Sequence, residues 1–139
     1  MLAWHYAPMV SKQVDLAEMT QAVAAVAAWL EGKGEKPTRA QLAAACRTTA
    51  RTLAQELPGH AVELRIPPFV AVQCVEGPRH TRGTPPNVVE MDPETWLRLA
   101  TGLLLFDAAL SSPHVTSSGA RAGEVARGLP VVSLSAVRR

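Results

Sequence analysis

The chain has 139 residues, 14 of them basic and 12 acidic, for a formal net charge of +2; 47% are hydrophobic and 4% aromatic. That length suits one domain, which buries about two-thirds of the surface its unfolded chain exposes. The basic excess comes from the terminal Arg138 and Arg139, so there is no basic stripe of the kind nucleic-acid binding needs. The longest nearly apolar run, 22–30, falls well short of the roughly 20 residues of a membrane helix.

Residues 1–14 read as an irregular N-terminal arm. Its start, MLAWHYAPMVSK, has neither a basic-then-apolar order nor a small-residue cleavage site, so no signal peptide and a cytoplasmic address are expected. Asp15 with Glu18 three residues later forms a capping-box pattern, and Leu16, Met19, Val23, Val26 and Leu30 follow at alternating spacings of three and four. That period predicts an amphipathic helix, ended by Gly32 and Gly34. Thr38 and Gln41 repeat the start signal ahead of Leu42, Cys46, Thr49, Leu53 and Leu57, until Pro58 and Gly59 stop a second helix.

The period then changes to two. Val62, Leu64 and Ile66 alternate with Glu63 and Arg65, as in a strand with one solvated face. After Pro67 and Pro68, the nearly continuous apolar run Phe69 to Val75 predicts a strand covered more completely. A long polar connection rich in Pro and Gly leads to a short strand at 87–91. Asp92, Pro93 and Glu94 are three agreeing signals for a helix start, and that helix is expected to carry Trp96, Leu99, Ala100 and Leu103 on one face, with Gly102 ending or bending it. A short helix within 103–110, a strand at 114–117, a brief helix around 121–127 and an apolar tail at 129–137 suited to a strand or an extended arm complete the chain.

The block VVEMDPETWLRLATGLLLFDAAL with HVTSSGARAGEVARGL resembles the C-terminal half of sterol carrier protein domains, with Asp92, Thr101, Gly102, Asp107, Ala108 and Gly119 at the family's characteristic places. The run from Val72 through Trp96, centred on EGPRHTRGTPPNVVE, is similar to the actinobacterial group of bacterial sterol-carrier orthologues. The likeness spans about residues 15–130 and leaves a tail at 131–139 outside it. It implies an α/β (α+β) domain in which helices cover one face of a mostly antiparallel sheet of four to five strands. It also implies an apolar space between helices and sheet for a lipid, acyl chain or sterol. The strand region is short, with four strands where the carriers have five.

On this reading Val70, Val72, Cys74, Trp96, Leu99, Leu103 and Phe106 are candidates to line an apolar pocket, or simply to pack the core. Arg79, His80 and Arg82 are candidates to hold an anionic head group, because guanidinium forks suit planar oxyanions; the bland alternative is a solvated loop. Cys46 and Cys74 make no C-x-x-C and read as reduced thiols, with a disulfide between them as the alternative. Cys74 with His80 raises an enzyme alternative, a nucleophile and its base, for which no orienting third residue is evident. His5, His60, His80 and His114 are scattered without metal-ligand spacing, and no cofactor motif is present. The leading expectation is a non-enzymatic binding module for an apolar or amphipathic small molecule. The alternative is an accessory domain with a filled core, docking a protein through the loop and the tail.

Overall fold

A computed structural model of the chain describes residues 13–77 and 87–137. Helix α1 spans Leu16–Leu30 and helix α2 Arg39–Glu56, and the two pack on each other. Asp15 caps α1 by accepting from the Ala17 N–H at 2.9 Å. At α2 the full reciprocal box forms: the Thr38 hydroxyl accepts from Gln41 N–H, and the Gln41 side chain accepts from Thr38 N–H. Two of the helix's orphan donors are thereby satisfied.

Strands β1 (Val62–Ile66), β2 (Val70–Cys74), β3 (Val88–Met91) and β4 (Val115–Ser118) form one sheet in the order β2-β1-β3-β4. β1 pairs antiparallel with β2 and β3 antiparallel with β4, while β1 and β3 run parallel. The sheet is therefore mixed and mostly antiparallel. Val62, Leu64 and Ile66 are wholly buried on one face. Glu63, Arg65 and Glu90 lie on the other, where the Arg65 guanidinium meets Glu63 at 2.7 Å and Glu90 at 4.0 Å.

The apolar run into β2 is not covered as its composition predicts. Ala71 and Gln73 are exposed, Val70 and Val72 half-buried, and only Cys74 fully enclosed. β2 is an edge strand with one open face, and its alternation follows from that position. At its end, Val75 takes φ of +72°, a conformation that costs a β-branched residue backbone energy. Its N–H donates to the Leu57 carbonyl and its own carbonyl accepts from Ala61 N–H, at 2.8 and 2.9 Å. Gly59, at φ +143°, lies so close to the Val75 carbonyl that a Cβ there would collide with it.

Helix α3 (Pro93–Ala100), helix α4 (Phe106–Leu110), a 3₁₀ helix (Ala122–Gly128) and helix α5 (Leu134–Val137) complete the domain. Asp92 caps α3 by accepting from the Thr95 N–H and hydroxyl. The helix ends at Ala100, with Gly102 at φ +83°, so Leu103 leaves the helical face it was expected to share and is 41% exposed. The tail differs from expectation too. It folds into a helical turn whose Leu134 and Val137 pack on Met19, Val23 and Ala27 of α1, because that face of α1 is apolar.

The main core lies between the sheet, α1, α2 and α3. At its centre Trp96 is wholly buried, and its indole N–H donates to the Thr49 hydroxyl at 2.8 Å. Thr49 in turn donates to the Ala45 carbonyl at 2.6 Å. A buried indole N–H without a partner would cost about 1–3 kcal/mol, so α2 supplies the acceptor that lets α3 bury a tryptophan. Trp96→Phe is expected to destabilise the domain by about 1–3 kcal/mol, through the lost hydrogen bond and the smaller ring. Urea unfolding of Trp96→Phe, Thr49→Val and the double variant checks this, with a coupling near 1 kcal/mol expected and simple additivity counting against the bond.

Candidate functional site

The turn after α3 and the chain after the 3₁₀ helix meet in an open groove. Two N–H groups of the tail, those of Val131 and Val132, donate to the Ala100 carbonyl at 2.8 and 3.0 Å, satisfying one of the helix's orphan acceptors. The tail is thereby held against the end of α3. On the other side, Leu104 N–H donates to the Arg98 carbonyl at 3.1 Å, folding the 102–106 turn back over the helix. Leu99 and Phe106, both buried, form the floor; Leu104, Ala126 and Leu129 form the walls; Gly102, Leu105, Asp107 and Pro130 form the rim. The groove encloses about 290 Å³, at the low end of the roughly 300–1,000 Å³ typical of small-molecule sites. Leu105 on its rim is 74% exposed.

Of the seven apolar candidates, Leu99 and Phe106 come together in this groove. Val70, Val72 and Cys74 sit on the helix-covered side of β2, in register with Ile66, Leu64 and Val62. Trp96 is spent in the core on Thr49, and Leu103 points away from the core at the turn. Four groove residues, Leu104, Leu105, Ala126 and Leu129, were not singled out from the sequence. The run Leu103–Phe106 was a visible signal for two of them. The other two carried none, since only the return of the tail brings them there.

Arg79, His80 and Arg82 lie outside the described residues; the two chain ends that flank them do not. Asn87, 7% exposed, donates through its side-chain amide to the Ala61 carbonyl at 2.8 Å and accepts from Arg121 N–H at 2.9 Å. The Arg121 guanidinium donates to the Glu76 carbonyl at 2.8 Å and grips Glu124 at 2.7 and 3.0 Å. A Cβ at Gly77 would meet that guanidinium and displace it. The hydrogen bond and charge of Arg121 hold the Glu124 carboxyl below its ordinary range, with Arg127 adding to the effect. A buried amide and a forked ion pair thus hold Glu76 and Asn87 to the start of the 3₁₀ helix.

Both cysteines are free and wholly buried. Burial pushes the Cys74 thiol up to about 11 and the Cys46 thiol up to about 12, the latter despite the opposing charge of Arg47. A nucleophilic thiolate needs the opposite shift. Among the described residues no group of three His, Cys, Asp or Glu side chains is placed to hold a metal ion, and no helix is long and apolar enough to cross a membrane.

A family model described as bacterial SCP orthologue matches residues 38–131, about two-thirds of the chain. The chain belongs to this bacterial SCP orthologue family. No curated protein matches it. The matched span begins at the cap of α2 and ends in the tail against α3, so it contains the whole sheet, the Trp96–Thr49 pair and the groove. The resemblance read from EGPRHTRGTPPNVVE and the α3 block is therefore to the right family.

The thiols give a direct test. Because their folded-state pKa values lie above the ordinary 9.0, the folded state holds those protons longer than the unfolded one. Their contribution to stability is fully present below about pH 9 and is lost as pH rises toward 11–12. Iodoacetamide at pH 8 is expected to label Cys46 and Cys74 only as fast as the protein unfolds. Rapid labelling of folded protein at Cys74 would restore the nucleophile reading.

Proposed function

We propose that this protein is a non-enzymatic binding module that takes an apolar or amphipathic small molecule of lipid or acyl type. Two things support the reading: the chain's family, and the groove floored by Leu99 and Phe106 with the exposed Leu105 at its rim. The observation that carries it is the shape of that groove, an apolar floor under an open polar and leucine rim. Burial of ligand surface there contributes roughly 25 cal/mol per Å². A volume of about 290 Å³ favours a short or branched acyl chain over a bulky fused-ring molecule, which calls for the larger part of the usual range.

The 3₁₀ helix supports a role for the cationic loop in the same site. Its first flanking residue, Arg121, holds Glu76 and Asn87 at the base of the loop, and its Ala126 lines the groove. Five residues of 3₁₀ helix span about 10 Å, the length of a short acyl chain with its head group. Arg79, His80 and Arg82 are thereby proposed as the pole that receives a carboxylate or other oxyanion, and Leu99 and Phe106 as the apolar end. Val70, Val72, Cys74, Trp96 and Leu103 support the site through the core and the turn.

Native mass spectrometry of the protein after exposure to a bacterial lipid extract is expected to show bound acyl compounds. Ala126→Leu, which fills a groove wall, is expected to weaken them by about tenfold, or about 1.4 kcal/mol. Arg79→Ala and Arg82→Ala are expected to weaken carboxylated ligands more than neutral ones. Apo protein alone after the lipid challenge would overturn the reading.

A further inference from the structure

Among the described residues four large hydrophobic side chains are exposed, and three of them, Leu103, Leu105 and Leu110, fall in the turn after α3 and in α4. Leu105 is the most exposed of the four. Leu103 and Leu105 flank Leu104, whose N–H is tied to the Arg98 carbonyl, so the turn is pinned to α3 with its two outer leucines in solvent. Leu110 lies one helical turn beyond Phe106, which floors the groove, and residues four apart share a helix face. All three leucines therefore sit on or beside the stretch that makes the groove's floor and rim. The same stretch is almost free of charge. From 99 to 120 the only formally charged residue is Asp107. The cations on either side are already paired, Arg98 with Glu94 at 3.6 Å and Arg127 with Glu124 at 3.2 Å, so no positive field surrounds the leucines.

Clustered exposed leucines mark a surface that something apolar covers. A stable protein partner, a second copy of this chain included, buries roughly 800 Å² on each side. Three leucines on one turn and one short helix supply only a fraction of that. A small uncharged tip is sufficient for the surface of a bilayer, where each side chain inserts by itself and the backbone stays among the head groups. Three leucine side chains carry about as much hydrocarbon as one myristoyl chain, which alone attaches a protein with an association constant of only about 10⁴ M⁻¹. The attachment expected here is therefore weak and reversible, a visit and not an anchor.

We propose that Leu103, Leu105 and Leu110 form an interfacial tip that docks the domain on an uncharged or zwitterionic phospholipid surface, with the groove opening at the bilayer. The leucines supply the attraction, and charge supplies none. Docking brings an acyl chain that leaves the bilayer directly to Leu99 and Phe106, without a path through water. The inference thus deepens the reading of the groove as an acyl site and rests on it.

Co-sedimentation of the full chain with phosphatidylcholine vesicles tests it, at about 1 mM lipid, above the half-binding concentration that such an attachment implies. The protein is expected to sediment, and to the same extent when salt is raised, because screening acts only on charge. Leu105→Ser, and separately Leu103→Ser combined with Leu110→Ser, are each expected to weaken vesicle binding by about tenfold. Leu16→Ser removes the fourth exposed leucine, on α1, and is expected to change nothing. Hydrogen exchange of the unmodified chain on vesicles gives a second reading that needs no variant, with protection gained over 102–110 and none over α1. Absence of sedimentation would overturn the proposal, as would protection centred elsewhere or binding that the leucine variants leave intact. Binding that requires added phosphatidylglycerol and disappears in salt would assign the contact to arginines instead. A lipid-free dimer dissolved by the same variants would assign the leucines to a second copy. Failure of the acyl-site reading is seen separately, because Leu103 and Leu110 are outside the groove lining and Ala126 is within it. The Leu103 and Leu110 pair is expected to leave bound acyl compounds in native mass spectrometry unchanged, and Ala126→Leu to leave sedimentation unchanged. Vesicle docking without any bound acyl compound sinks the acyl-site reading alone; bound acyl compounds without docking sink this proposal alone.

Discussion

The domain is organised around a tryptophan whose burial relies on a hydrogen-bond acceptor supplied by another helix. Trp96 lies at the centre of α3 with no exposure, and Thr49, forty-seven residues earlier on α2, receives its indole N–H. Thr49 remains satisfied because its own hydroxyl returns to the α2 backbone. The pair does not add stability through the hydrogen bond alone, whose net worth is of order 1 kcal/mol. Its larger effect is to forbid alternatives. Rotating or sliding α3 would strand the indole donor in an apolar core, so the bond specifies one docking of α3 on α2 and the sheet.

The groove inherits its geometry from that docking. Leu99 lies three residues beyond Trp96 and Ala100 ends the helix, so both are placed once the tryptophan is placed. The Ala100 carbonyl then captures Val131 and Val132, and this brings Leu129 and Pro130 against the floor made by Leu99 and Phe106. The C-terminal Leu134 and Val137 reinforce the return by packing on α1. A groove built from two separated stretches, 99–107 and 126–130, thus depends on one helix terminus and one buried bond. On the other side of the 3₁₀ helix, Asn87 and Arg121 hold the chain ends that flank the arginine-bearing loop, and they use backbone and side-chain groups that no apolar pattern reveals.

Much of this was legible in the residues. The cap signals at Asp15, Thr38 and Asp92 located three helices, because a helix N-terminus must satisfy its free N–H groups and few side chains can do so. Alternation from Val62 to Ile66 located a half-solvated strand, and the motifs around EGPRHTRGTPPNVVE and α3 pointed to the family that the matched span shows. Two readings failed for a common reason. The apolar run into β2 looked like a strand covered more completely, and the tail looked like a strand or an extended arm. In both cases composition reports how much apolar surface a segment carries, and position in the sheet or a free helix face decides where that surface goes.

Local chemistry therefore determined where the elements begin and end, which faces are apolar, and the family. It could name Leu99 and Phe106 as apolar candidates, but it could not separate them from Trp96, because burial in a core and lining of a groove demand the same side chains. Tertiary structure decided that difference. It spent Trp96 on Thr49, ended α3 before Leu103, and brought Ala126 and Leu129 to the groove through the bonds on Ala100. These outcomes rest on contacts between residues far apart in the chain, and the 3.6- and 2-residue periods that sequence reading uses carry no record of them.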